Sequence, residues 1–241
     1  MIIHGKFEEE IHQVKDHSID LVLTDPPYQQ TSCHWDEIIP FDVMWTELKR
    51  VIKPTTPVLL FGIEPFSSKL RLSNLKWYKY DWFWIKNIGT GFLSANKRPL
   101  NNCEKISVFY EKQPKYYPQM LQGEPYKCKQ GGAGLSVTDD KKILDGGWVT
   151  ENNGERYPVT TIHCNVERGE HPTQKPVDLL KYFIKTYTDK GDNVLDFTSG
   201  SGSTGVACKS LDRDYTLIEK EKEYYDIGCR RLSNVQGELF L

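Results

Sequence analysis

Apolar positions along this chain fall into two alternating rhythms. Phe7, Ile11 and Val14 recur at helical spacing and predict a short helix over residues 6–17. Residues 19–24 are apolar apart from Asp20 and Thr24 and read as a buried strand. Phe41, Met44, Trp45, Leu48, Val51 and Ile52 share one face of a helix over 41–52, which stops before Pro54. A second apolar strand follows at 57–62, then a helix at 64–75. Residues 80–85 and 105–110 are β-rich runs of aromatic and branched side chains. The alternation resumes with helix 177–186, strand 193–197, helix 203–211, strand 215–219 and helix 222–232. Strands alternating with helices predict an α/β fold around a doubly wound, mostly parallel sheet.

Between residues 111 and 170 the rhythm collapses into glycines and polar residues. A segment this long without its own periodicity is rare in a compact domain unless it has a function. It reads as an inserted recognition segment, with short strands allowed. The expected organisation is therefore 1–110 and 171–241 as two halves of one domain, with 111–170 set into it.

Composition narrows the class. At 241 residues, 38% hydrophobic and 27% charged, the chain reads as a soluble globular protein. No run approaches the roughly 18 apolar residues of a membrane span, and the start has no signal-peptide architecture. Six scattered cysteines without a C-x-x-C pair read as reduced thiols, which fits a cytoplasmic protein. The histidines show no metal-ligand spacing, so no metal site is expected. The net charge of −2 hides an uneven distribution: residues 1–64 carry −6, residues 65–130 carry +8 and residues 131–241 carry −4. A basic centre between acidic ends fits a local face for a polyanion.

Three stretches carry candidate chemistry. Thr24-Asp25-Pro26-Pro27-Tyr28 directly follows the first strand. The prolines fix φ near −65°, donate no hydrogen bond and hold Asp25 extended at the strand tip. A carboxylate, fixed carbonyls and an aromatic face suit an exocyclic amine on a flat heterocycle. The second stretch, residues 193–205, is strand, glycine-rich turn and helix, with Asp196 in the strand and Gly200 and Gly202 in the turn. Such turns admit close approach of a ligand to the backbone. Glu219 ends the next strand, where an acid can grip the ribose of a nucleotide-type cofactor. The spacing is not G-x-G-x-x-G, so a dinucleotide is not the first choice. A third stretch, His171-Pro172-Thr173-Gln174-Lys175-Pro176, opens a helix.

Together and in this order, D-P-P-Y, an irregular segment, H-P-T-Q-K-P and D-x-x-x-G-S-G resemble the permuted beta group of DNA amino-methyltransferases that use S-adenosylmethionine. Residues 60–66 also look like that family's next strand and turn. One departure is Asp196-Phe197-Thr198, where the family usually has D-P-F.

The resemblance implies a circularly permuted Rossmann-like methyltransferase fold and a site-specific methyl transfer to adenine N6 in double-stranded DNA. Asp25, Pro26, Pro27 and Tyr28 would be the catalytic set. Asp25 and the Pro26 carbonyl would accept hydrogen bonds from the amine, and Tyr28 would stack on a flipped base. Asp196, Phe197, Gly200, Ser201, Gly202, Ser203 and Thr204 would hold the methionine part of the cofactor, and Glu219 its ribose. His171, Thr173 and Lys175 would reach its carboxylate. Lys97 and Arg98 would contact phosphates. Thr24 would cap the strand end. Asp25 favours adenine over cytosine N4, whose enzymes usually carry Ser before the prolines. RNA or protein methylation and a non-catalytic DNA-binding subunit are the alternatives. A homodimer and a restriction endonuclease partner, in a restriction–modification setting, stay open.

Overall fold

Period-two alternation builds the centre of this protein. In the strand Leu21–Thr24, Val22 faces one way and Leu21 and Leu23 the other. In Val58–Gly62, Val58 and Leu60 oppose Leu59 and Phe61. Every one of these side chains is essentially fully buried, so both faces of the sheet are covered. Each such burial contributes about 1.5–3 kcal/mol relative to exposure.

The computed structural model describes residues 1–29, 37–130, 148–167, 169–170 and 173–235. Its main unit comprises Met1–Tyr117 and Thr160–Leu241. In chain order it runs β1 (Ile2–His4), α1 (Phe7–Glu10), β2 (Leu21–Thr24), α2 (Phe41–Val51), β3 (Val58–Gly62), α3 (Phe66–Ser73), β4 (Tyr78–Thr90) and β5 (Asn101–Phe109). It resumes with β6 (Thr161–His163), α4 (Val177–Tyr187), β7 (Asn193–Asp196), α5 (Ser203–Ser210), β8 (Asp214–Glu219) and α6 (Lys222–Asn234). The eight strands form one sheet in the order β1-β8-β7-β2-β3-β5-β4-β6. All neighbours are parallel except β5, which runs antiparallel to both β3 and β4.

Side chains of α1, α2 and α3 pack on one face, with Phe7, Trp45, Leu48 and Phe66 in that cluster. Side chains of α4 and α5 pack on the other, through Leu180, Phe183, Ile184 and Ala207. The doubly wound, mostly parallel sheet expected from the alternation is therefore present. Among the described residues no helix is long and apolar enough to cross a membrane.

One helix is much shorter than its periodicity predicts. The helix expected over 6–17 ends after Glu10 in a single 3₁₀ turn, Ile11–Gln13. The Arg50 guanidinium takes the carbonyls of Ile11 (2.8 Å) and Val14 (2.9 Å), and the backbone at Val14 is already extended. A tertiary donor replaces the next helical turn.

The second unit is Pro118–Val159. In its described part Leu121–Gln122 pairs antiparallel with Glu155–Arg156, and Tyr126–Gln130 with Trp148–Asn152. Residues 131–147 of the expected insert lie outside the described residues. Residues 111–117 and 160–170 stay with the main unit: Tyr117 N–H donates to the Thr186 carbonyl (2.8 Å), and β6 extends the sheet beside β4.

Candidate active site

The chain leaves β7 through α5 toward β8, and leaves β2 through α2 toward β3, in opposite directions across the sheet. The two central strands therefore mark the point where strand order reverses, and a crevice opens beyond their carboxyl ends. A cleft of about 1020 Å³ lies there. Asp25 and Asp196 sit at the tips of these neighbouring strands, and both line it.

The β7 side is a braced turn. Asp196 is buried and accepts from Thr24 Oγ1 (2.7 Å), Thr204 Oγ1 (2.5 Å) and the Thr198 N–H (3.2 Å). Burial still lifts its carboxyl to about 6, against the pull of these three donors. Thr24 thus ties the two strand tips together. Thr198 adds a second tie by donating from Oγ1 to the Asp25 carbonyl (3.0 Å). Thr198, one of the two residues that depart from the usual D-P-F pattern, thus helps fasten this turn to the end of β2.

Glu219 accepts the N–H groups of Gly200 (2.6 Å) and Glu221 (2.8 Å), and burial raises its pKa. A carboxylate has about four acceptor positions, so two stay available for a pair of ribose hydroxyls. Ser199 Oγ, buried in the same turn, has no hydrogen-bond partner among the described residues. An unsatisfied hydroxyl in a cleft-lining turn, beside a half-satisfied carboxylate, fits a polar nucleoside-type ligand.

Phe197 is buried against Phe7, with ring centroids 4.6 Å apart. Ser201 and Ser203 are held by Arg231, whose Nη1 reaches Ser201 Oγ (2.8 Å) and Ser203 Oγ (3.0 Å). Gly202 has φ 76°, and a Cβ there would lie 3.1 Å from Gly228 Cα, so this glycine lets α5 and α6 approach. Thr173 lines the cleft. His171 lies outside the described residues.

The β2 side is a charge network. Tyr28 Oη donates to Asp25 Oδ1 and also lies 3.2 Å from Glu104 Oε1. Lys175 Nζ pairs with Asp25 Oδ2 and with Glu104 Oε1 (3.1 Å). Lys86 Nζ pairs with Glu104 Oε2 (2.6 Å). Burial pushes the Asp25 carboxyl above its usual range, Lys175 pulls it back, and Glu104 pushes it up again. Burial also works against Glu104, but Lys175 and Lys86 outweigh it and hold its pKa below normal.

The resemblance implies cofactor contact for Lys175. Here its ammonium pairs with Asp25 and Glu104, and a cation buried over the Phe61 ring (5.2 Å) needs such opposite charge at hand. Tyr28, implied as a stacking platform, packs on Phe66 at 5.0 Å while its hydroxyl faces Asp25. Lys97 and Arg98 are exposed in the turn between β4 and β5.

Sequence reasoning missed Glu104 and Lys86. The signal was present: Glu104 shares strand parity with Ile106 and Val108, which are fully buried. A carboxylate in phase with a buried stripe needs a partner or a function. It also missed the Gly5–Glu8 segment, which lines the cleft where the chain enters α1.

A doubly wound sheet with a glycine-rich turn and a proline-flanked aspartate on adjacent strand tips, both facing one cleft, is the arrangement of the methyltransferase class. The chain belongs to the DNA methylase family of N6 and N4 methyltransferases, whose family model matches residues 19–230. It is 26% identical over 239 residues to the Type II methyltransferase M.HpaI of Haemophilus parainfluenzae, covering 93% of this chain and 71% of that protein. To M2.DpnII of Streptococcus pneumoniae it is 28% identical over 267 residues, covering 96% and 89%. Among solved structures, the M1.HpyAVI–SAM complex superposes with a TM-score of 0.65 at 22% identity, covering 98% and 99% of the two chains. The cytosine-N4-specific PvuII DNA methyltransferase gives 0.69 at 16%, covering 99% and 87%. These two likenesses concern the fold.

Proposed function

We propose that this protein transfers a methyl group from S-adenosylmethionine to the exocyclic N6 of adenine at a specific site in double-stranded DNA. The observation that carries the reading is the coupling of the two strand tips: Asp25, directly preceding the paired prolines, and Asp196, heading the glycine-rich turn, are joined through Thr24. One ligand seated on the turn and one amine held at Asp25 would meet in a single cleft.

Bound S-adenosylmethionine would supply an activated methyl group on a cationic sulfur. Glu219 would hold its ribose, and Ser199, Ser201, Ser203 and Thr204 would face its polar parts. The amine of adenine is a poor nucleophile, because its lone pair is delocalised into the ring. Asp25 and the Pro26 carbonyl would each accept one amine hydrogen and favour a tetrahedral nitrogen with its lone pair aimed at the methyl group. Each Asp25 oxygen keeps an acceptor position beyond Tyr28 and Lys175, so the amine can bind without dismantling the network. As a nitrogen–carbon bond formed, the methyl–sulfur bond would break and leave its electron pair on sulfur as a neutral thioether, while the nitrogen would become positive and pass a proton to Asp25, the carboxylate beside it, or to solvent. The protein's contribution is positioning and electrostatics.

Pro118–Val159 is the proposed target-recognition segment, with Tyr126 and Tyr157 exposed on it. A DNA substrate and the free thiols Cys103, Cys128, Cys164, Cys208 and Cys229 favour the cytoplasm. A second copy of the chain and a cognate restriction endonuclease are partners proposed on the family resemblance alone.

The test is tritiated methyl transfer from S-adenosylmethionine to unmethylated genomic DNA, followed by nucleoside analysis. The expected product is N6-methyladenine. N4-methylcytosine would overturn the base assignment, and no incorporation would overturn the DNA reading. Glu219→Ala is expected to weaken S-adenosylmethionine binding roughly tenfold or more, the value of one or two hydrogen bonds to a charged acceptor. Calorimetry on the folded variant checks this, and an unaltered dissociation constant removes Glu219 from the cofactor site.

A further inference from the structure

β4 and β5 form a long antiparallel hairpin that lines the cleft, near its turn, through Ile88, Thr90 and Asn101. Thr90 Oγ1 donates to the Asn101 carbonyl (3.0 Å) and closes the hairpin at the rim. Beyond that closure the chain makes a turn with its own backbone bonds. Gly91 has φ 89°, Phe92–Ser94 is a 3₁₀ turn, and the Lys97 and Arg98 N–H groups both donate to the Ser94 carbonyl (2.9 and 3.0 Å). On this ordered tip Phe92 is 81% exposed and Leu93 103% exposed. Residues 88–101 carry Lys97 and Arg98 and no acid. Two adjacent large apolar side chains in water, on a braced turn, are unusual for a monomeric surface.

We propose that Phe92 and Leu93 form a wedge that enters the base stack of duplex DNA where the target base is extruded, with Lys97 and Arg98 holding the flanking phosphates. The inference rests on the reading of the protein as a DNA methyltransferase and adds to it the element that opens the duplex. Three observations favour DNA as the occupant. Asp25 lies in a cleft that a stacked base cannot reach, so extrusion leaves a gap in the stack. Apolar side chains fill such gaps and offset unstacking. The only charges on the tip are positive, which suits phosphate on both sides of a wedge. The hairpin also connects tip and site: β5, which leads away from the tip, carries Glu104, a neighbour of Tyr28 in the cleft.

The test uses Phe92→Ala/Leu93→Ala on two oligonucleotide duplexes bearing the site mapped by sequencing plasmid DNA methylated by the wild-type protein. In one the target adenine is paired. In the other it faces an abasic position, so no pairing resists extrusion. The variant is expected to lose about tenfold or more in transfer rate on the paired duplex and to recover to within about threefold of wild type on the abasic one. Its S-adenosylmethionine affinity should not change. Lys97→Ala/Arg98→Ala is expected to weaken binding to both duplexes alike and to flatten the salt dependence. Wild-type rate on the paired duplex, or an equal loss on both duplexes, would overturn the wedge. Transfer by the wild-type protein to the same plasmid DNA, measured alongside, tests the underlying reading, so the two failures are distinguishable.

Discussion

Asp25→Ala is expected to lower methyl transfer by about 10³-fold or more while leaving S-adenosylmethionine binding within about twofold. A loss of that size corresponds to roughly 4 kcal/mol of transition-state stabilisation. In the proposed mechanism the carboxylate accepts the amine hydrogen and faces the positive charge as it grows on nitrogen, so its effect would fall on the transition state more than on the bound ground state. Cofactor binding should survive, because Asp25 joins the glycine-rich turn through its main-chain carbonyl, which accepts from Thr198 and remains in alanine. Lys175 keeps Glu104 as a partner, so the fold should tolerate the change. Asp25→Asn is the companion variant: its amide can still accept one hydrogen bond but carries no charge, and it should retain only a small part of the rate. Single-turnover methylation and calorimetry on the same preparations provide the check. Turnover within a few-fold of wild type in Asp25→Ala would end the assignment of this residue as the amine acceptor.

Much of this arrangement was legible before any coordinates, and the reason is local. Asp25-Pro26-Pro27-Tyr28 and Asp196 to Gly205 are contiguous, and each is a strand followed by its own turn, so backbone constraints alone place the chemistry at a strand tip. The helix at Phe41–Val51 was equally plain, because its apolar stripe is long and Pro54 lies just beyond its end. What stayed hidden depends on distant pairings. Nothing near Asp25 in sequence announces Lys175, 150 residues away, or Glu104 on a strand inserted antiparallel between β3 and β4. The premature end of α1 has the same origin, since Arg50 lies 39 residues from the Ile11 carbonyl it captures. Periodicity reports which face a residue takes, and sheet order decides which faces meet.

Lys175→Met should have the largest effect outside Asp25, and its signature is a moved pH profile. Lys175 is 11% exposed, between Asp25 at 22% and Glu104 at 5%. Removing it leaves two carboxylates facing each other with Lys86 on the Glu104 side alone. Breaking a buried pair in this way costs about 3–5 kcal/mol at neutral pH. Burial and Glu104 already push the Asp25 carboxyl up, and Lys175 is the group that restrains it. Without the ammonium the pKa climbs further, so Asp25 keeps its proton to higher pH than in the wild type, and less of the negative charge proposed to steady the developing cation is present. Transfer should fall at pH 7 and recover in alkali, with the acid limb displaced upward. The stability consequence has a definite sign. A carboxyl whose folded pKa lies above its unfolded value favours the fold below the unfolded pKa, and that contribution is lost as pH rises through the folded pKa. The deficit in melting temperature relative to wild type should therefore widen from acid toward neutral pH. Glu104→Gln provides the opposing control: it removes the like charge beside Asp25, so the acid limb should move down. A purely structural role for the network would lower both rates and leave the limbs in place. Unshifted profiles in both variants would refute the coupling, and a weakened S-adenosylmethionine affinity in Lys175→Met with an unshifted profile would return Lys175 to the cofactor's carboxylate.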